Sequence, residues 1–333
     1  MSPLSDVALS VLDLSPIPSG ADARTALRNT LELARHTERL GYRRFWVAEH
    51  HNMPGIASSA TTVLMSHVAA ATETIRVGSG GIMLPNHAPL VVAEQFGMLE
   101  AFHPGRIDLG IGRAPGTDQR TAIALRGAVQ ALGADDFPQK LTELMDYFEP
   151  EGSSPVRAVP AAGNKPPIWL LGSSGFSARL AGSLGLPFAF AHHFSARNTI
   201  PAVELYRESF RPSETLPEPY VMLGAAVICA ETDEQARWLA GPSGLQFLSL
   251  RRGHPIPLPT PEEAAGYPYS DVDRHFVDER LGTTIHGSPA TVGKGLETLV
   301  GDTGADEIMI TTMVHGTADR HRSYELVADR ARG

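Results

Sequence analysis

Short apolar runs alternate with helix-length amphipathic segments along almost the whole chain, and that rhythm is the feature that most limits the folds open to it. Each strand followed by a crossover helix and another strand is the signature of a parallel sheet covered by helices. Val7 to Leu12 reads as a strand, and Ala23 to Leu40 reads as a helix with Leu27, Leu31, Ala34 and Leu40 on one side, ended by Gly41. The pattern continues with strands at Arg44 to Ala48, Ile75 to Gly80 and Ile107 to Ile111, separated by helices at Ser59 to Thr72 and Leu90 to Phe102. It loosens between Ala114 and Pro166, where only Pro138 to Phe148 reads as a helix. It resumes with strands at Ile168 to Leu171, Phe188 to Ala191, Val221 to Cys229 and Glu307 to Thr312. Helices are expected at Ser177 to Gly185, Ala202 to Phe210, Asp233 to Leu250, Thr291 to Val300 and from about His321 onward. Eight such units, with no Gly-x-Gly-x-x-Gly after the opening strand, predict a closed α/β barrel of the (β/α)8 TIM type rather than an open dinucleotide-binding sheet.

A chain of 333 residues fits one such barrel with inserted loops, so residues 1–333 are read as a single domain. Hydrophobic residues make up 42%, enough for a large core. Between Gly253 and Tyr269 prolines recur at 255, 257, 259, 261 and 268, so this stretch is predicted to be an insertion loop. The formal charge of −9, with scattered basic residues, argues against a nucleic-acid partner. The absence of a signal-peptide pattern and of an ~18-residue apolar run argues against secretion and membrane spanning. Cys229, the sole cysteine, reads as a small buried hydrophobe, and a cytoplasmic location fits.

Barrel chemistry sits where strands end and loops begin. Four such places stand out. Gly172-Ser173-Ser174-Gly175 runs into a helix, so backbone N–H groups and hydroxyls would converge at a positive helix end suited to phosphate. The alternative is an ordinary serine cap with glycines for the bend. Arg113 would pair with such a phosphate, or with an acidic surface neighbour. Gly80 and Gly81, in Gly78-Ser79-Gly80-Gly81, would let a flat ring approach the backbone, or only mark a tight turn. His50 and His51 are neighbours on extended chain and should point to opposite sides, which disfavours a shared metal even with Glu49 and His192 or His193 nearby, so no metal is expected. A histidine here suits proton transfer.

At these residues the chain resembles the luciferase-like flavin monooxygenase family, closest to its single-barrel oxidoreductases. The resemblance rests on Gly41 to Asn52, on Ile75 to Pro85 with His87 and Pro89, on Ala93-Glu94-Gln95, on Pro104 to Arg113, and on Gly172 to Gly175 ahead of Gly185-Leu186-Pro187. Gly287-Ser288-Pro289 and Gly304 to Glu307 extend it to nearly the whole length. It implies a TIM barrel with FMN at the mouth, His50 as the catalytic histidine, and Glu49 as a cofactor-side neighbour. It further implies that Gly80 and Gly81 lie against the flavin ring, often through a cis peptide, and that Arg113, Ser174 and Ser177 hold the phosphate, with Gly175 opening the nest and Ser173 replacing an acidic residue. Gly112 stands where light-emitting members carry a cysteine, so luminescence is not expected.

The resulting expectation is an FMN-dependent monooxygenase that takes O2 and receives reduced FMN from a separate flavin reductase, since no nicotinamide fingerprint is present. Alternatives are an oxidoreductase using the deazaflavin F420 and a non-catalytic flavin-binding protein. The resemblance also implies a homodimer through the helices after the strands at Arg44 and Ile75, and a lid formed by 253–269 that excludes water. Leu14, Phe194 and Phe247 are candidate substrate contacts, and the substrate is a small organic molecule.

Overall fold

The computed structural model describes residues 3–114, 116–126, 136–150 and 155–333; the rest of the loosely patterned stretch, 127–135 and 151–154, lies outside the described residues. In chain order the elements are β1 (Ala8–Asp13), α1 (Ala23–Arg39), β2 (Arg44–Val47), α2 (Thr61–Ala71), β3 (Arg76–Ser79), β4 (Ile82–Met83), α3 (Pro89–Phe102), β5 (Ile107–Gly112), α4 (Gln119–Arg126) and α5 (Phe137–Asp146). Then come β6 (Ile168–Gly172), α6 (Gly175–Ser183), β7 (Phe188–Phe190), α7 (His192–Ser195), α8 (Thr199–Ser209), β8 (Val221–Cys229) and α9 (Asp233–Arg251). The chain ends with α10 (Pro261–Ala265), α11 (Asp271–Gly282), β9 (Ile285–Gly287), α12 (Pro289–Thr303), β10 (Glu307–Thr311) and α13 (Thr317–Arg332).

Strands β1, β2, β3, β5, β6, β7, β8 and β10 pair in parallel in that order, and β10 returns to β1 to close the eight-stranded barrel. These are the eight strands expected from the apolar runs. Their register lines up one set of alternate residues: Val11 opposite Phe45, Phe45 opposite Val77, Leu170 opposite Phe188, and Phe188 opposite Val221. That set belongs to the large buried cluster shared with the surrounding helices. The other set, including Leu12, Trp46, Trp169, Ala189, Met222 and Met309, forms a separate cluster inside the barrel. Both strand faces are therefore buried, which is why these strands read as continuous apolar runs rather than alternating ones.

The N-terminal end of the barrel is closed by charge. Arg44 bridges Asp108 at 2.8 Å and Glu307 at 3.1 Å, while Arg76 also reaches Asp108 at 2.6 Å. Trp46 Nε1 donates to Asp108 and the Tyr220 hydroxyl to Glu307. Carboxylates and guanidinium groups satisfy one another here, as a dry site demands. The polar plug sits under the aromatic layer made by Trp46 and Trp169, packed edge to face at 5.3 Å, so open space remains only at the opposite, C-terminal end.

Several stretches differ from the sequence expectation. The 253–269 segment is not all loop, because Pro261–Ala265 forms α10. Pro261 occupies the first turn, where no N–H is needed, and Thr260 and Glu263 form a reciprocal capping box. Four helices went unforeseen, α4, α7, α10 and α11, the last begun by a second such box between Ser270 and Asp273. Helix α6 starts at Gly175, not Ser177.

Candidate active site

The C-terminal strand ends surround a cavity of about 350 Å³ whose wall is mostly apolar. The barrel interior supplies its floor through Leu12, Trp46, Met222 and Met309. Its roof comes from α9, with Gln246, Phe247 and Leu250, and from Pro255 and Ile256 in the proline-rich segment. That segment is pinned by a parallel bridge between Pro18 and Leu258 and by Gln246 Nε2 donating to Ile256 O at 3.3 Å. Leu14, Phe194 and Phe247 all reach the cavity.

The serine turn opens onto one end. Ser173, Ser174 and Ser177 line the cavity with Gly172, while Gly175 stands behind them as the first residue of α6. Ser174 is the N-cap in extended conformation, yet its side chain makes no capping hydrogen bond. A hydroxyl at that position ordinarily accepts from the helix N–H groups, so here the N–H groups of the first turn and the hydroxyl are all left for something else. Gly172 belongs to the fit: a Cβ there would lie 2.4 Å from Cβ of Ser177. Arg113 lines the same cavity, with its guanidinium carbon 4.2 Å from the centroid of Phe176 in α6. Among the described residues it has no carboxylate within ion-pair distance.

Gly80 and Gly81 form a shelf in the wall, joined by a cis peptide. A Cβ on Gly80 would meet Leu12 Cδ1 at 2.5 Å, and one on Gly81 would meet the Gly110 carbonyl oxygen at 2.8 Å. Backbone itself faces the cavity at both positions; a side chain at Gly81 would strike backbone, and one at Gly80 would displace the end of Leu12.

His50 and His51 diverge. His50 lines the cavity, and its Nδ1 is buried without a partner among the described residues. Burial pushes its pKa down to about 4, Glu49 opposing and His51 adding to the effect. His51 turns instead to Glu49, 3.0 Å away. Glu49 does not line the cavity: its carboxylate accepts from the Met83 N–H at 2.9 Å and Asn86 Nδ2 at 3.2 Å and lies 3.0 Å from His87 Nε2. Burial alone would raise the Glu49 pKa, but these hydrogen bonds, His87 foremost, hold it below the usual carboxylate range. These contacts brace the strand end that carries His50.

Two groups on the cavity were not singled out as cofactor or catalytic residues. His193 faces it from α7, its Nδ1 2.8 Å from the Gly224 carbonyl. A carbonyl only accepts, so Nδ1 carries the proton and Nε2 is the acceptor; burial pushes this imidazole also to about 4. Arg280, on the unforeseen α11, enters the cavity as a second guanidinium. Nothing in the local pattern around Arg280 marks it; the helix had to be recognised first. Thr311 Oγ1 is a further buried atom on the wall with no partner among the described residues.

The cavity thus joins a phosphate-type turn, a bare backbone shelf, an unpartnered imidazole and a lid-like roof. The sequence profile of the luciferase-like monooxygenases matches residues 7–323. A luciferase-like monooxygenase of Escherichia coli (strain K12) is 47% identical over 324 residues, covering 97% of this chain and 96% of the relative. The crystal structure of apo-MsnO8 superposes with a TM-score of 0.91 at 37% identity, covering 98% of each chain. The oxygenating constituent of 3,6-diketocamphane monooxygenase from Pseudomonas putida, a type II Baeyer-Villiger monooxygenase solved in complex with FMN, shares the fold at a TM-score of 0.74 and 20% identity, again over 98% of both chains. Fold, cavity and sequence together make this chain a member of the luciferase-like monooxygenase family.

Proposed function

We propose that this monooxygenase-family barrel uses reduced FMN and dioxygen to oxygenate a small organic substrate. One oxygen atom enters the substrate, the other leaves as water, and the flavin departs oxidised. The observation that carries the reading is the convergence on one cavity of Arg113, the uncapped serine turn and the Gly80–Gly81 shelf.

These residues fit the cofactor. The turn and Arg113 offer hydroxyls, helix N–H groups and a cation to a phosphate dianion, which is the chemistry that phosphate needs. The shelf turns side-chain-free backbone to the cavity, a surface against which a flat ring can lie. Reduced FMN, when bound, supplies the electrons that activate dioxygen. The chain supplies the setting. His50 is neutral at pH 7, so its unpartnered Nδ1 and its ring are free to hold or pass a proton at the reacting centre. Phe247, Leu250, Pro255 and Ile256 close the roof against water. Absence of a nicotinamide fingerprint assigns the supply of reduced flavin to a separate reductase.

The working unit we propose is a cytoplasmic homodimer. Helices α2 and α3 bury one side against the barrel yet expose Val63 at 59%, Val91 at 44%, Met98 at 50% and Phe102 at 74%. A helix apolar on both sides has a second surface to cover.

Titration of the purified chain with FMN and F420, followed by single turnover with reduced FMN, oxygen and a panel of organic sulfides, ketones and aldehydes, tests the proposal. Micromolar FMN binding, weaker F420 binding and an oxygenated product support it. No flavin binding, or preference for F420, would overturn it.

A further inference from the structure

Arg280 stands near the C-terminal end of α11 and reaches the roof side of the cavity. One of its N–H groups donates to the backbone oxygen of His193. Its guanidinium carbon lies 4.6 Å from the centroid of Phe247, a ring that is itself stacked on Phe276 at 5.5 Å. The group is therefore held over the Phe247 ring by one hydrogen bond and one cation–π contact.

Its charge is unanswered. Arg280 is half-buried, and the two fully buried arginines each have carboxylates: Arg44 has Asp108 and Glu307, and Arg320 has Asp13. Arg106, partly buried, spends its N–H groups on the carbonyls of Ala69, Thr72 and Ile75 and on the Thr72 hydroxyl. Arg280 has no carboxylate within ion-pair distance among the described residues, and of the guanidinium's five donors only one is engaged. A cation withdrawn from water without a counter-ion is costly, and a ligand that brings the negative charge relieves the cost.

The second cation is not a duplicate of the first. Arg113 leaves β5 and packs on Phe176 of α6, beside the serine turn. Arg280 is anchored to His193 of α7 and Phe247 of α9. The contacts of Arg280 are the Phe247 ring and the His193 backbone, while Phe194, Leu250 and Ile256 add apolar wall to the same cavity. A phosphate would leave oxygens without donors there, whereas a carboxylate matches the planar fork of a guanidinium held against a ring.

The geometry points to a carboxylate-bearing substrate: its anion pairs with Arg280 and its apolar remainder lies along Phe194, Phe247, Leu250 and Ile256 in the mouth of the cavity. This deepens the monooxygenase reading and rests on it for the assignment of Arg113 to the cofactor. Arg280 is then a substrate-binding and specificity-determining residue.

Calorimetric titration of the flavin-free protein with octanoate and with octanamide tests it, beside a separate FMN titration. Wild type should bind octanoate about tenfold or more tightly than octanamide, the worth of one charged hydrogen-bonded contact. Arg280→Met should abolish that preference while FMN affinity stays within about threefold, and Arg280→Lys should keep part of it. Equal binding of acid and amide by wild type, no binding of either, or a preference that survives in R280M overturns the proposal. So does an R280M loss of FMN affinity as large as that of Arg113→Ala, which would move Arg280 to the phosphate. Should R280M fail to fold, the wild-type acid-to-amide ratio and R280K decide. Failure of the flavin reading appears separately, as absence of FMN binding in the wild type.

Discussion

His50 and His193 sit where an imidazole gives up its usual affinity for a proton, because burial drives both pKa values to about 4. The unfolded chain binds protons at these residues near pH 6.5, the ordinary value. Between about pH 6.5 and 4 the unfolded state therefore holds more protons than the folded one, and stability falls as pH falls through that window while remaining full above it. The expected outcome is a melting temperature that is level above about pH 7 and declines toward pH 4, with a shallower decline in His193→Gln; an unchanged slope would remove His193 from the account. The same residue scale separates the two ends of the proposed flavin site. Arg113→Ala should weaken FMN binding by about 1.5–3 kcal/mol, the loss of a charged hydrogen bond. His50→Ala should slow turnover by roughly 10²-fold with FMN affinity nearly unchanged. Binding and stopped-flow measurements on the two variants read this contrast directly. His50, the shelf glycines, Arg113 and the serines were recognisable from the sequence because each belongs to a local string at a strand end. The contacts of Glu49 to Met83, Asn86 and His87 were not legible, since they come from beyond the next strand.

Among the elements, α6 provides the sharpest test. An N-cap serine replaced by alanine ordinarily loses ~1 kcal/mol, because its hydroxyl satisfies a helix N–H. Ser174 makes no such bond. Ser174→Ala should therefore cost less than about 0.5 kcal/mol in urea denaturation while weakening FMN binding; a full capping loss with unchanged binding would restore the ordinary reading. Of the unforeseen helices, α10 and α11 carry caps that the sequence does show, Thr260 with Glu263 and Ser270 with Asp273. Five prolines nearby masked the first, and only Asp273 is buried in the second, so no apolar stripe announced it. Strands fared better because each is buried on both faces, and a double-sided apolar run is visible without knowing its partners.

For the molecule as a whole, the apolar outer faces of α2 and α3 should hold two copies together. Phe102→Asp combined with Val63→Asp should shift the sedimentation profile from dimer to monomer and leave the fold intact by circular dichroism; an unchanged profile would relocate the interface or dismiss it. The count, order and parallel sense of the barrel strands followed from the chain alone, since hydrophobic periodicity is a local record of burial. The Arg44–Asp108–Glu307 plug, the orphaned Nδ1 of His50 and the isolation of Arg280 did not. Each depends on groups far apart in the chain meeting, or failing to meet, in a dry interior, and the energy of a buried charge or hydrogen bond is set by those distant partners and not by the residue that carries it.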